Sequence, residues 1–333
     1  MCSPFMQAPE QPRDGYSNGQ CLKVGVLTNP RSGGNKKKGR AVARLLVNWP
    51  EVIHREAFEP GGISKALSDF SSEGIDLLVV NGGDGTVQAI LTILGNEKIF
   101  ARPPLLSLLC AGTTSMLPRD VGVTGSPVAA LQRILEWSQS MNKDLVIRTR
   151  SILRVQRDSQ ALYGMFFGAG AICEGIRIFH SNDNPMGWRG QLMPMLTMMR
   201  LLLAIFCNRV PPFMNNTRIN YGKTEKRADL LVLISTLDRL FLGMRPYWGT
   251  EDGPLRYTAV TTSPRYLLRV IFSLFASGRS RYATSANGYS SHNVEEVQLD
   301  METGFTLDGE LYEKGKQPIT ISSAGPALFI CSS

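Results

Sequence analysis

Two short stretches carry residue types that suit phosphate chemistry. In Gly82-Gly83-Asp84-Gly85-Thr86, three glycines, one carboxylate and one hydroxyl occupy five consecutive positions. Glycines let backbone N–H groups approach phosphates with no side chain in the way. The single carboxylate could hold Mg²⁺ or a water on a nucleotide. In Asp308-Gly309-Glu310, two carboxylates flank one glycine. In an extended chain, alternation would put Asp308 and Glu310 on one face. Phosphoryl transfer to an alcohol needs an acceptor for the hydroxyl proton and a metal to neutralise the phosphates, and one carboxylate could serve each need. In isolation the same three residues also read as a β-turn with solvated acids.

The flanking residues say how these stretches are positioned. Leu77-Leu78-Val79-Val80 is continuously apolar, which predicts a strand buried on both faces of a parallel sheet. Val87, Ile90, Leu91 and Leu94 follow at helical spacing. The glycines therefore sit between a strand and the start of a helix, where unpaired N–H groups and the positive end of the helix dipole favour phosphate. A second turn of this kind follows a strand at 22–27. It runs from Thr28 through Asn29-Pro30-Arg31-Ser32-Gly33-Gly34-Asn35 into the basic run 36–40 and a helical pattern at Val42, Leu45 and Leu46. A third strand, 105–109, runs into Cys110-Ala111-Gly112-Thr113-Thr114-Ser115, small and hydroxyl residues at the edge of an α/β sheet where ligands bind. Ser126 and Pro127 start a further helix as N-cap and first helical residue. These elements make an α/β domain over 21–144. From 145 to 333 short segments rich in strand formers take over, an antiparallel β pattern.

Composition sets bounds on this reading. The chain has 333 residues, 43% hydrophobic and 19% charged, which suits two globular domains. The net charge of +8 favours anionic partners, nucleotide phosphates or acidic lipid headgroups. No nucleic-acid-binding motif is present. The six cysteines form no C-x-x-C pair, which argues against a disulfide framework or a zinc site, and the three histidines are far apart in sequence. Residues 1–20 are polar and lack the apolar stretch of a signal peptide, so they read as a disordered extension.

Gly82 to Thr86 resembles the hallmark loop of the diacylglycerol kinase catalytic family, which includes diacylglycerol, sphingosine and ceramide kinases and their bacterial relatives. NAD kinases share that loop. Asn29-Pro30-Arg31-Ser32-Gly33 resembles the lipid kinases' Asn-Pro-x-Ser-Gly, a form NAD kinases do not usually carry. Gly112-Thr113 is similar to the family's Gly-Thr-x-Asn, with Ser115 in place of the Asn and Met116 where some bacterial members have an Asp. Phe167-Gly168-Ala169-Gly170 resembles a Gly-x-Gly turn of the family, and Asp308-Gly309-Glu310 its Asp-Gly-Glu.

The resemblance implies an α/β N-terminal domain with a parallel sheet, of the NAD kinase and diacylglycerol kinase type, and a β-rich, sandwich-like C-terminal domain that receives the lipid. It implies an ATP-dependent lipid kinase of phospholipid metabolism, with ATP and Mg²⁺ as cofactors and a lipid alcohol such as diacylglycerol, ceramide or a sphingoid base as acceptor. ATP would lie between the domains. Asn29, Ser32, Gly33, Gly82, Gly83, Asp84, Gly85, Thr86, Gly112 and Thr113 would surround it, with Asp84 beside the metal. Glu310 would be the general base, and Asp308 would support it or the metal. Asp252, in Glu251-Asp252-Gly253, matches a position where relatives hold a structural Mg²⁺; an exposed Asp-Gly turn is the other reading. Two other functions stay open. One is an NAD kinase-like enzyme. The other is a catalytically weak lipid- or nucleotide-binding protein, suggested by Ser115 and Met116.

Two apolar segments bear on the lipid. Residues 191–207 are Met- and Leu-rich but fall short of the ~20 apolar residues of a spanning helix. They read either as a buried helix or as an adaptable lipid-facing wall. The segment 264–277, flanked by Arg265, Arg269, Arg279 and Arg281, suits an anionic membrane surface or a core helix with snorkelling arginines. The expected location is cytoplasmic and peripheral to a membrane. The identity of the lipid and the formation of a homodimer are left open by the sequence.

Overall fold

The structure is a computed structural model and describes residues 5, 21–112, 116–121, 123, 125–140, 146–180, 215–220, 224–240, 243–276 and 280–331. The expected extension (Phe5 apart), Thr113, Ser115, Arg279 and the 191–207 segment lie outside them. The chain divides into two compact units, one of residues 1–152 with 324–333 and one of residues 153–323.

The first unit alternates strand and helix: β1 (Val24–Thr28), α1 (Asn35–Leu46), β2 (Ile53–Glu56), α2 (Pro60–Ser72), β3 (Leu77–Asn81), α3 (Asp84–Asn96), β4 (Leu105–Leu108), α4 (Met116–Asp120) and α5 (Pro127–Ser140). The strands pair in parallel in the order β2-β1-β3-β4. Phe329, near the chain's end, pairs in parallel with Leu106 on the far side of β4. All five residues of β3 and all four of β4 are buried, including the polar Asn81 and Ser107, as expected of mostly apolar strands in a sheet covered on both faces. Each such Leu or Val contributes about 1.5–3 kcal/mol by leaving water. The covering helices bury stripes at helical spacing: Ile63, Ala66, Leu67 and Phe70 from α2, and Val87, Ile90, Leu91 and Leu94 from α3. Gly25 of β1 lets α2 close on the sheet, because a Cβ there would lie 2.9 Å from the side chains of both Phe70 and Ile75. At the start of α5, Ser126 Oγ accepts the N–H of Ala129, the expected cap.

The second unit is built mainly of antiparallel strands. β5 (Val146–Arg157) pairs through its later residues with β6 (Gln160–Gly164). β7 (Phe166–Gly170) leads into α6 (Ala171–His180), followed by β8 (Asn215–Asn220), β9 (Thr224–Ser235) and β10 (Leu255–Thr261). Then come α7 (Leu267–Ala276), β11 (Tyr289–Val294), β12 (Glu296–Asp300), β13 (Phe305–Leu307), β14 (Glu310–Tyr312) and β15 (Ile319–Cys331). The ladder runs β14-β13-β7-β9-β8-β12-β15, and β10 joins β9 to β11. The core gathers Phe167, Ile234, Tyr257, Val297, Phe305 and Ile321 among others, with the Phe167 and Phe305 rings stacked 5.1 Å apart. β12 alternates exposed and buried residues, the mark of a sheet with one wet face.

Candidate active site

In the first unit three loops meet at the C-terminal ends of β1, β3 and β4. Asn29, just past β1, donates from Nδ2 to Thr86 Oγ1 at 2.8 Å, and its backbone N–H donates to the Asn81 carbonyl at 2.9 Å. Its Oδ1 accepts the Arg31 N–H at 2.9 Å, an Asx turn that sets the Pro30-Arg31 corner. Ser32 Oγ donates to the Ala111 carbonyl at 3.1 Å, and the Gly34 N–H donates to the same oxygen at 2.9 Å. The loops therefore close on each other through polar groups at their bases.

The glycines of these loops pack backbone close against their neighbours. A Cβ on Gly34 would lie 2.6 Å from the Ala111 carbonyl oxygen, and one on Gly82 2.7 Å from Thr86 Cβ. A Cβ on Gly112 would lie 2.9 Å from Gly83 Cα. No side chain larger than hydrogen fits where these backbones cross. At the start of α3 the Thr86 and Val87 N–H groups donate to the Gly83 carbonyl at 2.9 and 3.1 Å, and this end carries the positive pole of the helix dipole. A glycine-rich helix N-terminus of this kind suits a phosphate group. Of the residues named from sequence, Asn29, Ser32, Thr86 and Gly112 build the junction directly, and Gly33, Gly82, Gly83 and Gly85 line the same loops.

Asp84 has a different place from the one expected. Its carboxylate is buried and turns to the start of α4, accepting the N–H of Met116 at 3.2 Å and of Leu117 at 3.4 Å. It caps that short helix and ties the 110–116 loop to α3. Both oxygens are thus committed to backbone, and among the described residues no three His, Cys, Asp or Glu side chains gather to hold a metal ion. The donor set at Asp84 does not fit a resident Mg²⁺.

Two further groups shape the electrostatics. His54 Nε2 lies 2.9 Å from Thr28 Oγ1, and burial holds the imidazole below its ordinary value. At neutral pH it is an uncharged partner of Thr28 rather than a cation facing phosphate. Burial likewise pushes the Cys110 thiol up, so it stays protonated. Arg31 is the exposed cation of the first loop, stacked 3.6 Å above the Phe58 ring.

Asn35, at the start of α1, was not singled out in the sequence. Its Nδ2 donates to the carbonyls of both Asn29 and Asn81, at 2.8 and 2.9 Å. It joins the first two loops from beneath. The only signal was an amide side chain closing a loop that already held Asn29.

In the second unit, Asp308 and Gly309 form the two-residue turn of the β13–β14 hairpin. Both have positive φ, 49° and 93°, and Leu307 pairs with Glu310. This is a type I′ arrangement, for which Asp-Gly is a preferred sequence. The expectation that Asp308 and Glu310 share a face of an extended strand is therefore corrected. A tight turn separates them, with Asp308 buried and Glu310 exposed. The Asp308 carboxylate accepts the N–H of Phe166 at 2.8 Å and of Met165 at 3.1 and 3.2 Å. It locks the hairpin to the start of β7.

Asp252 has the place of the exposed Asp-Gly turn, the second of its two readings. It is exposed in the 249–253 turn, and its neighbour Glu251 does the holding. Glu251 Oε1 lies 2.7 Å from His292 Nδ1, while Oε2 accepts the N–H groups of Asn293 and Thr250, each at 3.0 Å. The His292 bond, helped by the Asn293 N–H, lowers the Glu251 carboxyl to about 2.

Comparison with known proteins shows what these loops are similar to. The sequence profile of the diacylglycerol kinase catalytic domain matches residues 23–145, which span all three loops. A probable lipid kinase YegS-like of Enterobacter sp. (strain 638) is 28% identical over 107 residues, covering 32% of this chain and 36% of that protein. A YegS-like protein of Stenotrophomonas maltophilia (strain K279a) is 26% identical over 110 residues, again 36% of its length. The match to these relatives thus spans about a third of their length. A diacylglycerol kinase of Mycobacterium tuberculosis (strain CDC 1551 / Oshkosh) is 26% identical over 263 residues, 76% of this chain and 78% of that one. A crystal structure of a Bacillus anthracis str. Sterne diacylglycerol kinase has the same fold, with a TM-score of 0.58 at 17% identity over 93% of this chain and 97% of that one. Within this family domain, the Asn29, Gly82–Thr86 and Gly112 loops hold together as one hydrogen-bonded junction.

Proposed function

We propose that this chain is an ATP-dependent lipid kinase that transfers the γ-phosphate of ATP to the hydroxyl of a lipid such as diacylglycerol, ceramide or a sphingoid base. The observation that carries this reading is the side-chain-free junction of Gly34, Gly82, Gly83 and Gly112 under the N-terminus of α3, inside the matched family domain. Backbone N–H groups there suit the phosphates of ATP. Mg²⁺ would arrive with the nucleotide and neutralise its phosphates. Glu310 is exposed at the first position of β14, so its carboxylate is available to accept the proton of the lipid hydroxyl. The lipid oxygen then bonds to the γ-phosphorus, the bond to the bridging oxygen breaks, and ADP leaves. Asp308 supports Glu310 by fixing the hairpin, and Asp84 supports the phosphate loops by capping α4. No helix among the described residues is long and apolar enough to cross a membrane. Access to lipid would then come from peripheral association with an anionic membrane surface.

The test is transfer of radiolabelled γ-phosphate from ATP to diacylglycerol, ceramide, sphingosine and phosphatidylglycerol in mixed micelles, with NAD as a parallel acceptor. Label on one lipid, abolished in Glu310→Gln, is the expected result. Label on NAD alone, or ATP binding with no transfer to any acceptor, overturns the reading.

A further inference from the structure

We propose that the outer face of α7, where Tyr266, Leu268 and Phe272 stand between Arg265, Arg269 and Arg281, is the surface by which this chain docks on an anionic lipid bilayer. The proposal rests on the reading above that the chain works on a lipid. It starts from the two faces of one helix. Val270 and Leu274 point inward and share a core with Val260, Ala283 and Tyr289. On the other side Phe272 is 72% exposed, Leu268 39% and Tyr266, just before the helix, 51%. An i,i+4 pair of large apolar residues facing solvent gains nothing from the fold itself.

The charges along this stretch of chain are all of one sign. No Asp or Glu occurs from 253 to 294. Among the described residues none of Arg265, Arg269 and Arg281 pairs with a carboxylate. Arg269 and Arg281 are held by aromatic rings instead. The Arg269 guanidinium lies 5.8 Å from the Tyr266 ring and 5.4 Å from the Tyr282 ring, and that of Arg281 lies 4.9 Å from Tyr282 and donates to its hydroxyl at 2.7 Å. The two rings lie 4.9 Å apart. Tyr266 sits in the left-handed region, φ 59°, with its neighbour's carbonyl held by the Tyr289 hydroxyl at 2.9 Å. Two of the three cations are thus pre-ordered beside an apolar patch. Exposed apolar residues ringed by uncompensated arginines match the interfacial region of a bilayer with acidic headgroups, and no protein surface of mixed charge.

The test is co-sedimentation of the full chain with phosphatidylcholine vesicles, with and without phosphatidylglycerol. Wild type should bind only the anionic vesicles. Phe272→Glu should weaken binding by about tenfold or more, and Arg265→Gln/Arg269→Gln/Arg281→Gln by about fivefold for each arginine, with melting temperatures unchanged. Wild-type binding by Phe272→Glu, or equal binding to neutral vesicles, overturns the proposal. So does a wild-type dimer in sedimentation velocity that Phe272→Glu dissociates while vesicle binding persists, since a second copy would then cover the face. Phosphorylation of a short-chain, water-soluble diacylglycerol separates the two readings. Absence of phosphorylation in wild type of this and of water-soluble short-chain ceramide and sphingosine, with vesicle binding intact, defeats the kinase assignment alone. Equal turnover by wild type and Phe272→Glu on anionic vesicles defeats the docking face alone.

Discussion

Asp308 and Phe166 bind each other twice: the Phe166 N–H donates to Asp308 Oδ1 at 2.8 Å, and the Asp308 N–H donates to the Phe166 carbonyl at 2.8 Å. The aspartate of the acidic hairpin is therefore a fastener, and its neighbour two residues on is the reactive candidate. Asp308→Ala would leave the N–H groups of Met165 and Phe166 buried without this acceptor, at a cost of about 2–4 kcal/mol. Asp308→Asn keeps one acceptor oxygen and tolerates positive φ, so it should cost about half as much. Glu310→Gln, at an exposed position, should change stability by less than about 0.5 kcal/mol and lower turnover by about 10²–10⁴. Urea unfolding beside kinase assays separates these effects. Full turnover in Glu310→Gln would remove it from the chemistry.

Asp84 offers a sharper choice between two roles. As a cap on α4 it acts on the phosphate loops through the backbone of Met116 and Leu117. Asp84→Ala should then destabilise the fold by about 1–2 kcal/mol for a lost cap, lowering the melting temperature, and weaken ATP binding equally with and without Mg²⁺. Calorimetric titration in the two conditions reads this directly. A loss confined to the Mg²⁺ condition would make Asp84 a metal contact.

The glycine junction predicts a contrast between positions. Gly112→Ala sets a methyl 2.9 Å from Gly83 Cα, backbone against backbone, so the loops must part. Overpacking of this kind costs about 1–3 kcal/mol, and ATP affinity should fall with it. Gly61, early in α2, is the control, since a Cβ there meets nothing within 4 Å. Gly61→Ala should stabilise by about 0.5 kcal/mol and leave ATP binding unchanged. Isothermal titration and thermal melts of both variants check the pair. Equal effects at the two sites would show that the junction has no special tightness.

Much of the first unit was legible in sequence because buried parallel strands are continuous apolar runs and their loops are marked by glycine. Leu77–Val80 followed by Gly82-Gly83 fixes strand, turn and helix start together. What escaped were side chains whose partners are remote. Nothing near Asp84 says that its carboxylate reaches the N–H groups of residues 116 and 117, and nothing near Asp308 points to Met165 and Phe166. Asp308-Gly309 is a local I′ signal, but the weight given to two carboxylates flanking a glycine favoured an extended reading. Segment 145–333 read as one β-rich domain because strands of 4–5 residues look alike wherever they pair. The parallel pairing of Phe329 with Leu106, which brings 324–333 into the first unit, depends on a partner more than 200 residues away. Helix α6 was missed behind the glycines of β7, where Gly170 takes a φ of 76° and turns the strand directly into the helix.

The Glu251–His292 contact gives the second unit a pH-dependent clasp. The carboxyl is lowered from an ordinary 4.5 to about 2, first by its hydrogen bond to His292 and then by the Asn293 N–H. Because the folded value lies below the unfolded one, the contact's stabilisation is complete above pH 4.5 and is lost as pH falls through about 2. The group is solvent-exposed, so screening keeps the effect small. What it holds is the 249–253 turn against β11, where a Cβ on Gly253 would lie 2.5 Å from the Val294 nitrogen. Glu251→Gln should therefore melt below wild type at pH 7, and the gap should narrow between pH 4.5 and 2. Carboxyl-carbon NMR should give Glu251 a midpoint near 2. A midpoint at its ordinary value, or a melting gap that does not vary with pH, would mean that backbone packing at Gly249 and Gly253 alone secures the turn.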